Sequence, residues 1–145
     1  MAYCSFDDVQ GLLPKIDFTS LSSKPTQVQV ESYIAFCDSQ VKGVLQSAGY
    51  DTTQTDVDAI AFLKMVCTFG AAALAEKAAF PGAKNGEGWH IFWQLYQDEL
   101  TNILNGQAPG LEPASDAGQA LPESLYTVDS AAVPDAKFTI GSVQW

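Results

Sequence analysis

The sequence predicts an all-α fold, a bundle of about four helices, one short and three long, followed by an extended C-terminal arm. Apolar residues recur at spacings of three and four along three long segments, which is the period of a helix that buries one face. Helix-capping residues stand at the start of these segments, and glycine or proline follows their ends. With 47% hydrophobic residues, the 145-residue chain can form one domain with a substantial core.

The first, short helix is predicted directly after Ser5. Ser5 and Asp8 have the spacing of a capping box, in which each side chain accepts a hydrogen bond from the other residue's backbone N–H. Apolar residues follow at helical spacing until Pro14, which cannot continue a helix. The serine-rich residues 15–25 predict a loop held by a few apolar side chains.

The second helix is bounded by local signals at both ends. Thr26 with Gln29 forms another capping box, and Gly49 is well placed as the C-terminal cap. After a short polar loop, Thr55 with Asp58 has the same spacing and predicts the start of the third helix.

The third helix, residues 56–80, is expected to organise the fold. Apolar residues cover most of its circumference, with Leu63 and Val66 predicted in the core, and its length is about 35 Å at 1.5 Å per residue. The small residues 70–73 allow a neighbouring helix to approach closely, which offsets the cost of about 1 kcal/mol for Gly70. The other helices are therefore predicted to pack around this one.

A glycine-rich turn at 81–88 leads to the fourth helix, residues 89–104, whose aromatic stripe comprises Trp89, Trp93 and Tyr96. Aromatic residues at this spacing are most often core residues that pack against a neighbouring helix. The alternative interpretation is a ligand site formed by the same three side chains with His90. Core packing is the preferred prediction.

The chain changes character at residue 107, which divides a helical domain, residues 1–106, from an extended arm, residues 107–145. The arm holds four of the seven prolines and lacks a sustained helical period. It is expected to be flexible in the isolated protein and to become ordered on a partner surface. The predicted contacts with that surface are Leu121, Leu125, Tyr126, Phe138, Ile140 and Trp145.

Composition disfavours several functional classes. The net charge is −10 and all seven basic residues are lysines, so nucleic-acid binding is not expected. The chain shows neither an N-terminal leader pattern nor about 20 uninterrupted apolar residues, which predicts synthesis in a cytoplasm and no membrane contact. The three cysteines are odd in number and far apart, which predicts buried thiols.

Catalysis is not predicted, because the residues show no catalytic or metal-binding motif. The single histidine, His90, has no second ligand or orienting carboxylate at a recognisable spacing. The acidic residues near helix starts are explained by capping. We therefore expect no enzymatic activity, no cofactor and no metal.

The order of these elements resembles the head–tail connector adaptor proteins of long-tailed bacteriophages. The resemblance spans residues 1–106 and is carried by three segments with the sequences SFDDVQGLL, PTQVQVESYIAFCDSQVKGVLQSAGYD and WQLYQDELTNILNG. Their order and spacing together, rather than any single motif, make the similarity.

This resemblance implies a structural protein of the virion neck, made in the host bacterial cytoplasm. It implies a homo-oligomeric, dodecameric ring that docks on the portal protein and offers its other face to a stopper or tail protein. DNA would be cargo passing through the lumen, and an acidic wall that repels phosphates suits such passage. The small-residue face of the third helix, with Ala72 and Ala75, is the predicted contact between subunits.

Two alternatives remain at this point. One is a cytoplasmic helical module for protein–protein interaction, such as a chaperone or regulatory subunit, which would share the capped amphipathic helices. The other is a small-molecule enzyme that uses the aromatic stripe of the fourth helix with His90.

Overall fold

The structure, a computed structural model, describes residues 1–20, 22–82 and 88–114. In these ranges the chain forms four α-helices, namely α1 Phe6–Leu12, α2 Gln27–Ala48, α3 Val57–Ala79 and α4 Gly88–Leu104. The fold is all-α, with one short and three long helices as predicted.

Helix α3 is the centre of the bundle, because α1, α2 and α4 all contact it. Two helices approach it closely at Gly70. A Cβ atom at this position would lie 2.7 Å from Sγ of Cys37 on α2 and 2.8 Å from the ring of Tyr96 on α4. Side chains from two helices thus occupy the space that any larger residue would need, which explains a glycine in the middle of a long helix.

The core around this crossing contains most of the residues predicted for it. Leu63, Val66 and Tyr96 are fully buried. Trp93 is half-buried and packs against the core, with its ring 5.2 Å from that of Tyr96. Trp89, also predicted in the core, is half-buried and is not among the residues packed on the core cluster. It lies in the first turn of α4, where the Lys77 ammonium is 5.0 Å from its ring centroid.

The ends of α1 and α2 follow the predicted local chemistry. Both capping boxes are present, Ser5 with Asp8 and Thr26 with Gln29. Gly49 caps α2 in the left-handed conformation at a φ of 84°, which a residue with a Cβ atom rarely adopts.

The start of α3 differs from the prediction by one residue. Asp56, not Thr55, is the N-cap, and its carboxylate accepts hydrogen bonds from the backbone N–H groups of Asp58 and Ala59 at 2.8 and 3.1 Å. The Thr55 hydroxyl instead donates to the Glu112 carboxylate at 2.7 Å. The local pattern assigned the Thr55 side chain to the cap, but this side chain binds Glu112, which is 57 positions further along the chain.

Glu112 also marks the end of the compact helical unit, Met1–Glu112, which extends past the predicted boundary at residue 106. Its carboxylate accepts from the backbone N–H groups of Thr55 and Asp56 at 3.3 and 2.9 Å. Its backbone N–H donates to Gln54 Oε1 at 2.7 Å, and its carbonyl accepts from the Asp51 N–H at 3.0 Å. Residues 107–112 are therefore part of the helical unit and not of an arm.

The second unit, Pro113–Trp145, is described only at its first two residues. Beyond Ala114, the predicted extended arm lies outside the described residues. So do its predicted contact residues, Leu121, Leu125, Tyr126, Phe138, Ile140 and Trp145.

Among the described residues, α3 is also the helix that is long and apolar enough to meet the usual criterion for a membrane span. Half of its most apolar stretch is buried among the chain's own residues. The core helix of a globular domain meets the same criterion.

Gly70→Ala should destabilise the bundle by about 1 to 2 kcal/mol, because the cost of overpacking exceeds the gain in helix propensity. Gly43→Ala on α2 is the matched control, since nothing lies within 4 Å of its would-be Cβ atom. That change should stabilise the protein by about 0.5 to 1 kcal/mol. Denaturant unfolding of both variants measures the difference, and equal effects of the two substitutions would show that α3 is not closely approached at Gly70.

Glu112→Ala should lower the free energy of unfolding by about 2 kcal/mol, because three donors at the start of α3 lose a charged acceptor. The control is Glu31→Ala, which removes one exposed hydrogen bond from Gln27 and should change stability by less than about 0.5 kcal/mol. Thermal unfolding followed by circular dichroism distinguishes the two. If the Glu112 variant were as stable as the wild type, residues 107–112 would not contribute to the helical unit and its boundary would lie at residue 106.

Candidate interaction surface

The predicted subunit contact through the alanine face of α3 is wrong for this fold. Ala72 and Ala75 are both fully buried, and so are Ala71 and, almost completely, Ala73. The small residues let other parts of the same chain approach α3 so closely that no atom remains for a second copy to touch. Residues available to another molecule are those that the fold leaves exposed.

A ridge of five large apolar side chains meets that requirement. It consists of Met65 and Phe69 on α3 and Ile91, Phe92 and Leu95 on α4. The rings of Phe69 and Phe92 stack across the two helices, with centroids 6.2 Å apart and planes inclined by 15°. Met65, Ile91 and Leu95 are 41, 54 and 38% exposed, whereas Phe69 and Phe92 are half-buried and pack against the core, so the ridge presents three exposed apolar side chains to solvent. Exposed apolar clusters of this kind mark interaction sites more often than single exposed residues do.

A groove between α1 and α3 continues the apolar surface from the ridge. Its volume is about 340 Å³, and Met65 and Phe69 of the ridge form part of its wall. The other lining residues are Asp8, Gly11, Leu12, Ala61, Lys64 and Thr68. The ridge and the groove together form one surface shared by three helices, and we refer to it as the α1–α3–α4 surface.

One ion pair gives the groove its charge. Lys64 Nζ lies 3.0 Å from Asp8 Oδ1, and the lysine side chain is half exposed. Partial burial raises the pKa of the Asp8 carboxyl, but hydrogen bonds from Lys64 and Ser5 outweigh this effect and hold the pKa below its ordinary value. The pair is exposed enough to contribute little to stability. It leaves the groove nearly neutral on an otherwise acidic chain.

Among the described residues, the aromatic stripe and His90 are not brought together around one cavity, as the alternative ligand site predicts. Tyr96 is fully buried at the helix crossing. The Trp89 indole is approached edge-on by the His90 ring, with centroids 5.5 Å apart. A small cavity of about 150 Å³ touches Trp89 and Trp93, together with Ala73, Leu74 and Lys77, and includes neither Tyr96 nor His90. The stripe is thus divided between the core and a shallow apolar recess.

Within the part of the chain that the structure describes, no three His, Cys, Asp or Glu side chains are grouped so that they could hold a metal ion. Two of the acidic residues near helix starts take part in caps, Asp8 in the capping box with Ser5 and Asp56 as the N-cap of α3. The absence of catalysis and of a cofactor stays a prediction.

Comparison of the chain with protein-family models, with curated proteins and with solved structures finds no match.

Trp93→Ala should cost about 3 kcal/mol of stability, because the side chain packs on the core beside Tyr96. Trp89→Ala should cost about 1 kcal/mol, since it removes a half-buried ring and its contact with the Lys77 ammonium. Chemical denaturation of the two variants compares the positions directly. If both substitutions lowered the free energy of unfolding equally, Trp89 would be part of the core.

Proposed function

We propose that this chain is an adaptor subunit of a bacteriophage neck, which assembles as a homo-oligomeric ring between the portal protein and a stopper or tail protein. The observation that carries the proposal is the α1–α3–α4 surface. It offers large apolar side chains and a groove, and among the described residues no three His, Cys, Asp or Glu side chains are grouped so that they could hold a metal ion. Such a surface is suited to binding another protein.

The proposal assigns the contact between neighbouring subunits to this surface in place of the alanine face. A ring requires a heterologous contact, in which one patch of a subunit binds a different patch of the next. The α1–α3–α4 surface supplies one of these two patches, with the groove as a concave receptor and Ile91 and Leu95 as exposed apolar side chains beside it. The patch of the neighbouring copy that binds this surface lies elsewhere on the chain.

Charge supports the second part of the proposal, that DNA passes through the ring without being held. The chain carries −10 and contains no arginine, so a lumen built from many copies repels phosphates. The order of one short and three long helices agrees with the adaptor resemblance. The location in the virion neck and the dodecameric ring rest on that resemblance.

The alternative is a cytoplasmic helical module for protein–protein interaction, such as a chaperone or regulatory subunit. The same apolar surface favours it, since a single partner could bind there without a ring. The two differ in what they bind, because an adaptor binds the portal and its own copies, whereas a regulatory module binds an unrelated client.

Met65→Glu and Leu95→Glu test the proposal. Both side chains are exposed, so each variant should keep its stability within about 0.5 kcal/mol. Each should weaken docking to particles that carry the cognate portal at least about tenfold, because a charge is buried without a partner at every subunit contact. Co-sedimentation with the particles measures docking, and electron microscopy shows whether a ring has formed.

Val28→Glu is the control, since Val28 is 75% exposed on α2 and belongs to neither the ridge nor the groove. It should dock as the wild type does. Normal rings from both the Met65 and the Leu95 variant would exclude this surface as the subunit contact. Failure of the wild-type protein to dock on portal particles would exclude the adaptor function and leave the regulatory module.

A further inference from the structure

Two buried thiols join the N-terminal segment to α3, and the proposed function makes no use of them. Sγ of Cys4 lies 3.1 Å from Sγ of Cys67, which is hydrogen-bond distance for sulfur. Both cysteines are free thiols. They are close in space although 63 positions separate them in the chain. Sulfur atoms this close need little movement to form a covalent bond.

We propose that Cys4 and Cys67 form a reversible disulfide when the protein meets a peroxide, and that this bond locks the N-terminal segment onto α3. The segment before α1 packs on the core through Tyr3 and Cys4, and it also makes polar contacts with α2 and with the loop that follows α2. The Tyr3 N–H donates to Asp38 Oδ1 at 2.9 Å, Lys42 Nζ donates to the Met1 carbonyl at 3.0 Å, and the Tyr3 hydroxyl donates to the Thr52 carbonyl.

The two thiols have different roles in this reaction. Hydrogen bonding with Cys67 lowers the pKa of the Cys4 thiol, an effect that burial opposes and a further hydrogen bond from Thr68 supports. The same contact and burial raise the pKa of Cys67. Cys4 is 6% exposed whereas Cys67 is completely buried, so a peroxide meets Cys4 first. Cys4 is therefore the nucleophile and Cys67 the thiol that resolves the intermediate.

The reaction balances with a peroxide as the oxidant. The Cys4 thiolate attacks one oxygen of hydrogen peroxide, the O–O bond breaks, and a sulfenic acid forms as the released hydroxide takes a proton to become water. The Cys67 sulfur then attacks the Cys4 sulfur. The S–O bond breaks, and the second water leaves with the proton of the Cys67 thiol. Two thiols are oxidised, and one peroxide is reduced to two waters.

Access to Cys4 comes through the chain terminus. Cys4 is 6% exposed, and Met1 and Ala2 before it are exposed. A short segment outside the helices opens locally more often than the whole bundle unfolds. Peroxide can reach Cys4 during such openings, and the disulfide forms as the segment closes.

The third cysteine is a built-in control. Cys37 is fully buried where α2 faces Gly70 and Tyr96, and burial raises its pKa to about 12. Its thiol stays protonated and enclosed, so it should remain reduced under the same treatment.

The formation of this disulfide does not depend on the proposed function, but the place and time at which it forms rest on that function. A neck protein is made in a reducing cytoplasm and then carried outside the cell in a particle. The disulfide would form after release and would fix the N-terminal segment in the finished virion.

Peptide mapping of the full-length protein after hydrogen peroxide treatment tests the proposal. Because the chain has lysines but no arginine, trypsin leaves the three cysteines in separate peptides, residues 1–15, 16–42 and 65–77. The expected product is a cross-link between peptides 1–15 and 65–77, two hydrogen atoms lighter than the reduced pair and released by dithiothreitol. A different cross-link, or oxidation of Cys4 to a sulfinic acid without any cross-link, would overturn it.

Thermal unfolding tests the locking effect. The oxidised protein should melt roughly 10 °C above the reduced protein, because the bond closes a long loop in the unfolded chain. Cys37→Ala should keep this shift and Cys4→Ser should lose it. An unchanged Tm on oxidation would contradict the lock. Because the measurements use the isolated chain without a portal, their failure leaves the proposed function standing.

Discussion

The crossing of α2 and α4 over α3 at Gly70 is the constraint on which the other features of this fold depend. Cys37 and Tyr96 fill the space beside Gly70 from two different helices. Helix positions that meet at such a point cannot be exchanged for larger residues without moving one helix away from the core. The small residues that follow Gly70 extend this close packing toward the end of α3, where Ala71, Ala72 and Ala75 are completely buried.

This use of α3 determines which part of it remains for assembly. The small residues are buried in the core of the same chain, whereas Met65, just over one turn before Gly70, is 41% exposed. On α4, Tyr96 faces the crossing, and Ile91 and Leu95 stay on the outside. The resulting division of each helix into a buried and an exposed apolar part is what a subunit needs in order to fold first and assemble afterwards.

The sequence predicted the features that depend on neighbouring residues. The caps at Ser5, Thr26 and Gly49 are set within a few positions, and the structure shows all three. The cap of α3 was missed by one residue because Glu112, which binds Thr55, is 57 positions away.

The interaction surface was harder to predict for the same reason. A run of small residues indicates close packing but does not say whether the approaching helix belongs to the same chain or to another. Ala72 and Ala75 were assigned to a second subunit on that ground, and tertiary packing buries them instead. The ridge had a weak signal in the sequence, namely large apolar residues such as Ile91 and Leu95 on the face of α4 otherwise occupied by polar residues.

Methionine oxidation tests the central claim, that the exposed part of α3 is the assembly contact, most directly. The chain has two methionines, Met1 and Met65, which trypsin separates into different peptides, and both are exposed in the free subunit. Their oxidation rates can be compared in the free protein and in the portal-bound assembly. We expect Met65 to be oxidised more slowly in the assembly than in the free chain, with Met1 as the internal reference. Oxidation of Met65 at the same rate in both states would contradict it.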